Sequence, residues 1–383
     1  MPDKNTARLI AGIPSQNNAL FHRIRFKAGD PAAWMALPDG TEALMIRDIE
    51  SDRARREVDV DNVCIPADYE PETGLSGDRE TATAQAVAEC LHRSGADRVV
   101  VDRSTPHVYT HHLALLGLDV VYDEDLGVLE RRSKDGSELD ALRSAQAATE
   151  RAMELACRTI GRAEVGPDGM LLHEGEPLTS ERVKVMIDVK LLELGYACPG
   201  SIVAGGPDGA DCHFTGAGPL RTGEPVIVDI YPQSKTTRYN GDCTRTVVNG
   251  TVSPELERMH AVVREAKAAG ISAVRAGVTG ESVHQATIDV IIANGYATGL
   301  PPADAPADFC GMVHGTGHGV GLDVHEPPLL DFKGPLLVEG DVLTVEPGLY
   351  GSAIGGIRIE DMVAVTAEGC ENFNSLPEGL DWT

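Results

Sequence analysis

The chain lacks any C-x-x-C pair, any H-E-x-x-H segment and any apolar run near the ~18 residues of a membrane span. Its eight cysteines, at positions 64, 90, 157, 198, 212, 243, 310 and 370, stand singly. A small disulfide-stapled scaffold is therefore excluded, and the thiols read as buried or free in a reducing compartment. Without H-E-x-x-H, the helical single-zinc protease arrangement is excluded too. The first twenty residues show no basic start followed by an apolar run of about 7 to 15 residues, so no secretory signal is expected and the cytoplasm is the expected location. Basic residues are also scarce, 33 against 59 acidic, for a formal charge of −26. Such a chain repels phosphate backbones and anionic lipid, which argues against nucleic-acid and membrane partners.

What is present suits compact folding. Hydrophobic residues make up 42% and charged residues 24% of 383 positions, a soluble globular composition long enough for two domains. Residues 1–135 read as a small α/β domain. AWMAL and EALMI flank Pro38-Asp39-Gly40, a hairpin turn signal, and residues 81–92 have helical periodicity. Residues 99–101 and 118–122 are short strand candidates, and the polar stretch RRSKDGS at 131–137 suits a linker, placing the boundary at 135/136.

From Ser137 onward the chain repeats itself. Ser137 and Ser253-Pro254 each open a helix; a second helix follows in each half, over residues 179–194 and 280–294, ending at Gly195-Tyr196-Ala197 and Gly295-Tyr296-Ala297. Each half then carries a strand ending in an acid, GEPVIVD to Asp229 and GDVLTVE to Glu346. A second acid follows, Asp242 after 13 residues and Glu360 after 14. Two helices and a carboxylate-bearing strand pair, present twice, imply a pseudo-twofold α+β domain with four acids at the centre of its sheet.

Acids within β-runs either face solvent or need a compensating positive charge, because burying a carboxylate alone costs several kcal/mol. One arginine neutralises only part of a set of four, so divalent metal is the natural partner. His314, His318 and His325 lie in HGTGHGVGLDVHE, where four glycines let backbone approach a crowded site. Oxygen-rich ligation with one imidazole favours Mn²⁺, Co²⁺ or Zn²⁺ over a thiolate-type structural zinc. Two such ions, about 3.5 to 4 Å apart, activate a water and polarise the carbonyl it attacks.

Five segments, VDI at 228–230, GDCTRT at 241–246, HGTGHGVGLDVHE at 314–326, VEPGLY at 345–350 and IRIED at 357–361, resemble in order the motifs of the pita-bread metallopeptidases. That group contains Xaa-Pro aminopeptidases, prolidases and methionine aminopeptidases, with creatinase as a metal-free relative. The resemblance covers residues 137–383 and implies a pita-bread catalytic domain over 136–383. It implies five ligands for two divalent ions, Mn²⁺ first, with Co²⁺ or Zn²⁺ as alternatives: Asp229, Asp242, His318, Glu346 and Glu360, of which Asp242 and Glu360 bridge. It also implies that Glu346 shuttles a proton, that His325 contacts the scissile carbonyl or the residue after it, and that His213 lines a proline pocket. Tyr350, Arg358 and His314 match outer positions near that pocket.

Residues 1–135 look like the creatinase-like N-terminal domain of the proline-directed branch, which commonly helps form a homodimer. The expected activity is release of the N-terminal residue from peptides with proline at the second position. Prolidase is the alternative, and a non-catalytic peptide-binding protein is third. Some prolidases carry an arginine shortly after the histidine matching His325; here EPPLLDF follows, with no basic residue before Lys333.

Overall fold

A computed structural model describes residues 5–306 and 309–383. The chain divides into two compact units, Met1–Arg131 and Arg132–Thr383. The division falls four residues before the expected one, for an electrostatic reason. Arg132 and Lys134 are not solvated linker residues; both are buried, Arg132 against Asp341 at 2.6 Å and Lys134 against Glu326 at 2.7 Å.

The first unit is built on a six-stranded mixed sheet: β1 (Thr6–Gly12), β2 (Ala32–Ala36), β3 (Glu42–Met45), β4 (Asn62–Cys64), β5 (Arg98–Val101) and β6 (Asp119–Tyr122), in the order β4-β3-β2-β1-β5-β6. The Pro38-Asp39-Gly40 turn joins antiparallel β2 and β3 as expected, with Gly40 at φ +90. Alternation along the strands loads both faces. Leu9, Met35 and Met45 pack with Val87 and Leu91 of the helix Arg79–Arg93, whereas Ile10, Trp34 and Leu44 pack with Leu20 and Ile24 of the helix Asn18–Ile24.

The second unit contains the doubled pattern. Its first half has α1 (Gly136–Gly161), α2 (Ser180–Glu193), β7 (Ile202–Gly205), β8 (Pro225–Ile230) and β9 (Cys243–Val248). The second half has α3 (Pro254–Ala273), α4 (Gly280–Ala293), β10 (Gly317–Gly319), β11 (Val342–Val345) and β12 (Asp361–Val365). β8 pairs antiparallel with β9, and β11 with β12. Helix α1 starts one residue before Ser137, because Asp135 caps it: the Asp135 carboxylate accepts the Glu138 N–H at 2.9 Å, and Glu138 returns a bond to the Asp135 N–H at 3.0 Å. Ser253 caps α3 and Thr279 caps α4.

Strand parity sets the site. Val226, Val228 and Ile230 of β8, with Cys243 and Val247 of β9, face α1 and α2 in one core. Leu343 and Val345 of β11, with Val363 and Val365 of β12, form the matching core with Val283 of α4. The alternate positions, including Asp229, Thr244, Thr344 and the residues flanking the strands, Asp242, Glu346 and Glu360, fall on the opposite, inner face.

Candidate metal centre and substrate cavity

The four acids arrive by two related routes. Asp229 ends the apolar run of β8, opposite Thr244 in the β8/β9 ladder, and Asp242 immediately precedes β9. Glu346 follows β11 and Glu360 precedes β12; the register Val345↔Asp361, continued one step, sets these two acids opposite each other. His318 sits in β10, brought in by close backbone approach. A Cβ on Gly317 would lie 2.0 Å from the Thr344 carbonyl oxygen, and one on Gly319 2.5 Å from that of Glu326.

Carboxylate oxygens of Asp229, Asp242 and Glu360 lie within 4.8 Å of one another. His318 Nε2 is 3.3 Å from Glu346 Oε1 and 3.8 Å from Asp242 Oδ2, which joins the remaining two residues to that cluster. All five line one cavity of about 350 Å³, with His213, His314, His325 and Arg358. The structure thus brings together the five expected ligands and four of the five outer residues. Tyr350 lies behind the wall: it is buried, and its hydroxyl sits between Arg358 Nη1 at 2.9 Å and His314 Nε2 at 2.7 Å. His213 and His325 are exposed at the wall.

The donor set fits divalent cations. Asp229 Oδ2 takes a 2.7 Å ion pair from Arg358, while its Oδ1 is buried with no hydrogen-bond partner. Burial, then the charges of Glu360 and Asp229, pushes Asp242 well above the carboxylate range; burial, then Glu346 and Asp229, does the same to Glu360. Burial also raises Asp229 against the pull of Arg358. Carboxyls that resist ionisation together are the environment a bound cation relieves. Divalent ions held there would keep these groups ionised and act as Lewis acids toward an attacked carbonyl.

The protein's own groups are poised around that cluster. Burial opposes ionisation of Glu346, but the hydrogen bond and charge of a protonated His318 hold it at about 2, so it is ionised across the physiological range. The His318 Nδ1 faces the Gly319 carbonyl at 3.2 Å, which assigns a proton there; burial lowers the imidazole but the hydrogen bond and charge of Glu346 raise it further, so Nε2 also carries a proton toward Glu346, and a bound cation would take that proton's place. His314 Nδ1 meets the Gly315 carbonyl at 2.7 Å, so Nε2 accepts the Tyr350 hydroxyl. Burial keeps His314 and His325 below the ordinary imidazole range, hence neutral near pH 7.

Three supporting residues escaped the sequence reading. Thr244 Oγ1 donates to Glu360 Oε2 at 2.8 Å. Thr344 Oγ1 accepts the His318 N–H at 3.0 Å and lies 3.1 Å from Glu346 Oε1. Each threonine is two residues from an acid, Thr244 after Asp242 and Thr344 before Glu346, so period-2 parity was the signal that could have found both. Gln146 of α1 gave no such signal. It clamps the Asp242 backbone, accepting its N–H at 2.8 Å and donating to its carbonyl at 2.6 Å across 96 residues.

The sequence model of metallopeptidase family M24 matches residues 140–367. This chain belongs to that family. The family's pita-bread fold is the one seen here: the Xaa-Pro dipeptidase structure from Bacillus anthracis superposes with a TM-score of 0.79 over 98% of this chain and 94% of that one, at 24% identity. Among curated M24 relatives, the "Probable dipeptidase PepE" of Mycobacterium bovis is 32% identical over 285 residues, 73% of this chain and 68% of that protein. Xaa-Pro aminopeptidase 1 of Streptomyces coelicolor is 33% identical over 285 residues, 68% of this chain and 55% of that protein. As an M24 member the chain is a metallopeptidase, and its substrates are peptides.

Proposed function

We propose that this M24 member is a dinuclear Xaa-Pro aminopeptidase, releasing the first residue from peptides whose second residue is proline. The observation that carries the reading is the convergence of Asp229, Asp242 and Glu360 oxygens within 4.8 Å in a cavity shared with His318 and Glu346. In this reading those five residues would hold two divalent ions, Mn²⁺ in the first instance, with Asp242 and Glu360 shared between them, and the ions would supply Lewis-acid chemistry toward the attacked carbonyl. Glu346 accepts the proton of the attacking water and passes it to the departing nitrogen. His325 faces the scissile carbonyl, and His213 with Ile202 and Tyr231 forms the proline pocket. Arg358, locked to Asp229, Tyr350 and the Cys212 carbonyl, fixes the orientation of Asp229.

Relatives named for Xaa-Pro aminopeptidase and for Xaa-Pro dipeptidase support the proline preference. Aminopeptidase is favoured over prolidase because a dipeptide must seat its C-terminal carboxylate beside the site. Among the described lining residues the one ammonium or guanidinium group is Arg358, and it is committed elsewhere. The eight free cysteines, with no helix of the described residues long and apolar enough to cross a membrane, support a cytoplasmic enzyme. Its expected assembly, a homodimer, is checked by light scattering.

Chelation should abolish cleavage of Ala-Pro-Ala and Mn²⁺ or Co²⁺ should restore it, with Ala-Pro cleaved poorly. A chelated protein that cleaves Ala-Pro-Ala at the loaded rate refutes the metal mechanism. Activity confined to Ala-Pro makes the chain a prolidase. Absence of bound metal at saturating Mn²⁺ makes it a non-catalytic binding protein.

A further inference from the structure

One charged group on the cavity wall is used by none of this chemistry. Among the described residues the charged lining groups are Asp229, Asp242, Glu346 and Glu360, then Arg358, which pairs with Asp229, and Asp331. Asp331 belongs to the segment following His325, and its side chain is 42% exposed. Its Oδ1 accepts the Phe332 N–H at 2.7 Å and lies 3.6 Å from His284 Nε2. Burial keeps His284 below the ordinary imidazole range despite the pull of Asp331 and Glu281, so that ring does not cancel the charge near pH 7. Oδ2 stands over Gly315, where an added Cβ would come within 3.1 Å.

The carboxylate is also held in place. The Gly334 N–H closes a turn onto the Asp331 carbonyl at 2.9 Å, and Phe332 lies edge-on to His284 with ring centres 4.9 Å apart. Gly280 of α4 gives the segment room, since a Cβ there would meet the Leu329 carbonyl oxygen at 2.2 Å. Hydrogen bonds from Gly277 to Leu337 and from Leu337 to Val278, at 2.9 and 2.8 Å, tie down the far end. Leu329 and Phe332, 54% and 66% exposed, flank the acid with apolar surface. A held carboxylate between two apolar side chains suits a long aliphatic stem ending in a cation.

We propose that Asp331 is a specificity-determining residue that receives a lysine or arginine side chain of the peptide, so that the enzyme prefers basic Xaa-Pro peptides over acidic ones. The proposal rests on the Xaa-Pro peptidase reading and narrows its substrate class. The formal charge of −26 acts in the same direction, drawing cationic peptides toward the protein and slowing anionic ones. Because the carboxylate touches a side chain rather than the reacting bond, its effect falls on KM more than on kcat.

The test compares Lys-Pro-Ala with Glu-Pro-Ala, and Ala-Pro-Lys with Ala-Pro-Glu, on the full Mn²⁺-loaded chain. In at least one pair kcat/KM should favour lysine by roughly tenfold, through KM, and the preference should shrink at high salt. Asp331→Glu should keep that ratio, Asp331→Asn should bring it near one, and Asp331→Lys should invert it. Ratios are taken within each enzyme, so a general loss of activity cancels. Cleavage of Ala-Pro-Ala with no lysine preference in either pair, or a preference that persists in Asp331→Asn, overturns this inference alone. A metal-loaded protein that leaves Ala-Pro-Ala intact overturns the peptidase reading and this inference with it.

Discussion

Thr244 and Glu360 hold each other twice across 116 residues: the threonine hydroxyl donates to Glu360 Oε2 at 2.8 Å, and the Thr244 carbonyl accepts the Glu360 N–H at 3.1 Å. One residue comes from each half of the repeat, so this contact fixes how the two acid-bearing strand pairs meet. Thr244 Oγ1 also accepts from Arg358 Nε at 3.2 Å, linking Glu360 to the arginine that orients Asp229.

Thr244→Val keeps the side chain's outline and deletes both hydroxyl contacts. Supporting hydrogen bonds around ligand carboxylates carry about 10- to 100-fold in metal affinity. The variant should need that much more free Mn²⁺ for half-maximal activity, with much of the rate recovered at saturation. A metal titration of activity, repeated by calorimetry, checks it. An unchanged affinity would show that Thr244 serves the fold and not the ions.

Asp242 and Glu360 give the chelated protein an unusual pH response. Both carboxyls are raised in the folded state, by burial first and then by neighbouring acids. The folded protein therefore binds more protons than the unfolded chain above its ordinary carboxylate pKa of about 4. Stability from these groups is present below that value and declines as pH rises through the folded pKa. Urea midpoints of chelated protein should fall with rising pH, more steeply than those of Asp242→Asn, and Mn²⁺ should reverse the trend and release protons on binding. Identical pH slopes in wild type and variant would contradict the assignment.

Much of this was legible because burial and chemistry followed the same period. Along GEPVIVD and GDVLTVE the apolar residues face helices and the acid falls on the inner face, so the alternation that forms the strand also aims the ligand. The helix start of the second half was readable from Ser253-Pro254, whereas Ser137 marked that of the first half one residue late. What lay outside reach depends on contacts distant in sequence. Gln146 looks like any helical glutamine until Asp242 lands beside it, and RRSKDGS looks like a solvated linker until Asp341 and Glu326 meet Arg132 and Lys134. That the Tyr350 hydroxyl joins His314 to Arg358 is likewise a contact between residues far apart along the chain.

Gly317 has a steric task rather than a conformational one. A methyl group there would sit 2.0 Å from the Thr344 carbonyl oxygen and 2.8 Å from Thr344 Oγ1, on the approach that sets His318 beside Glu346. Backbone cannot yield as a flexible side chain does, so Gly317→Ala should cost about 1 to 3 kcal/mol of stability and lower metal affinity together. Gly369→Ala, where an added Cβ meets nothing within 4 Å, is the control. Equal melting temperatures for the two variants would mean that β10 has more room than its contacts indicate.

Lys134 and Glu326 make a buried pair at 2.7 Å, with side chains 1% and 4% exposed, and Glu326 directly follows His325. Removing one partner strands the other's charge, which typically costs about 3 to 5 kcal/mol. Replacing both with neutral groups of similar size removes that penalty. Lys134→Met should therefore destabilise the protein by about that amount, and Lys134→Met with Glu326→Gln should regain most of it. Urea unfolding of the three proteins measures the coupling. The pair also decides where the segment carrying His325 rests, so Lys134→Met should lower kcat with metal content unchanged. If the double variant is no more stable than Lys134→Met, the pair is not coupled and the cost has another source.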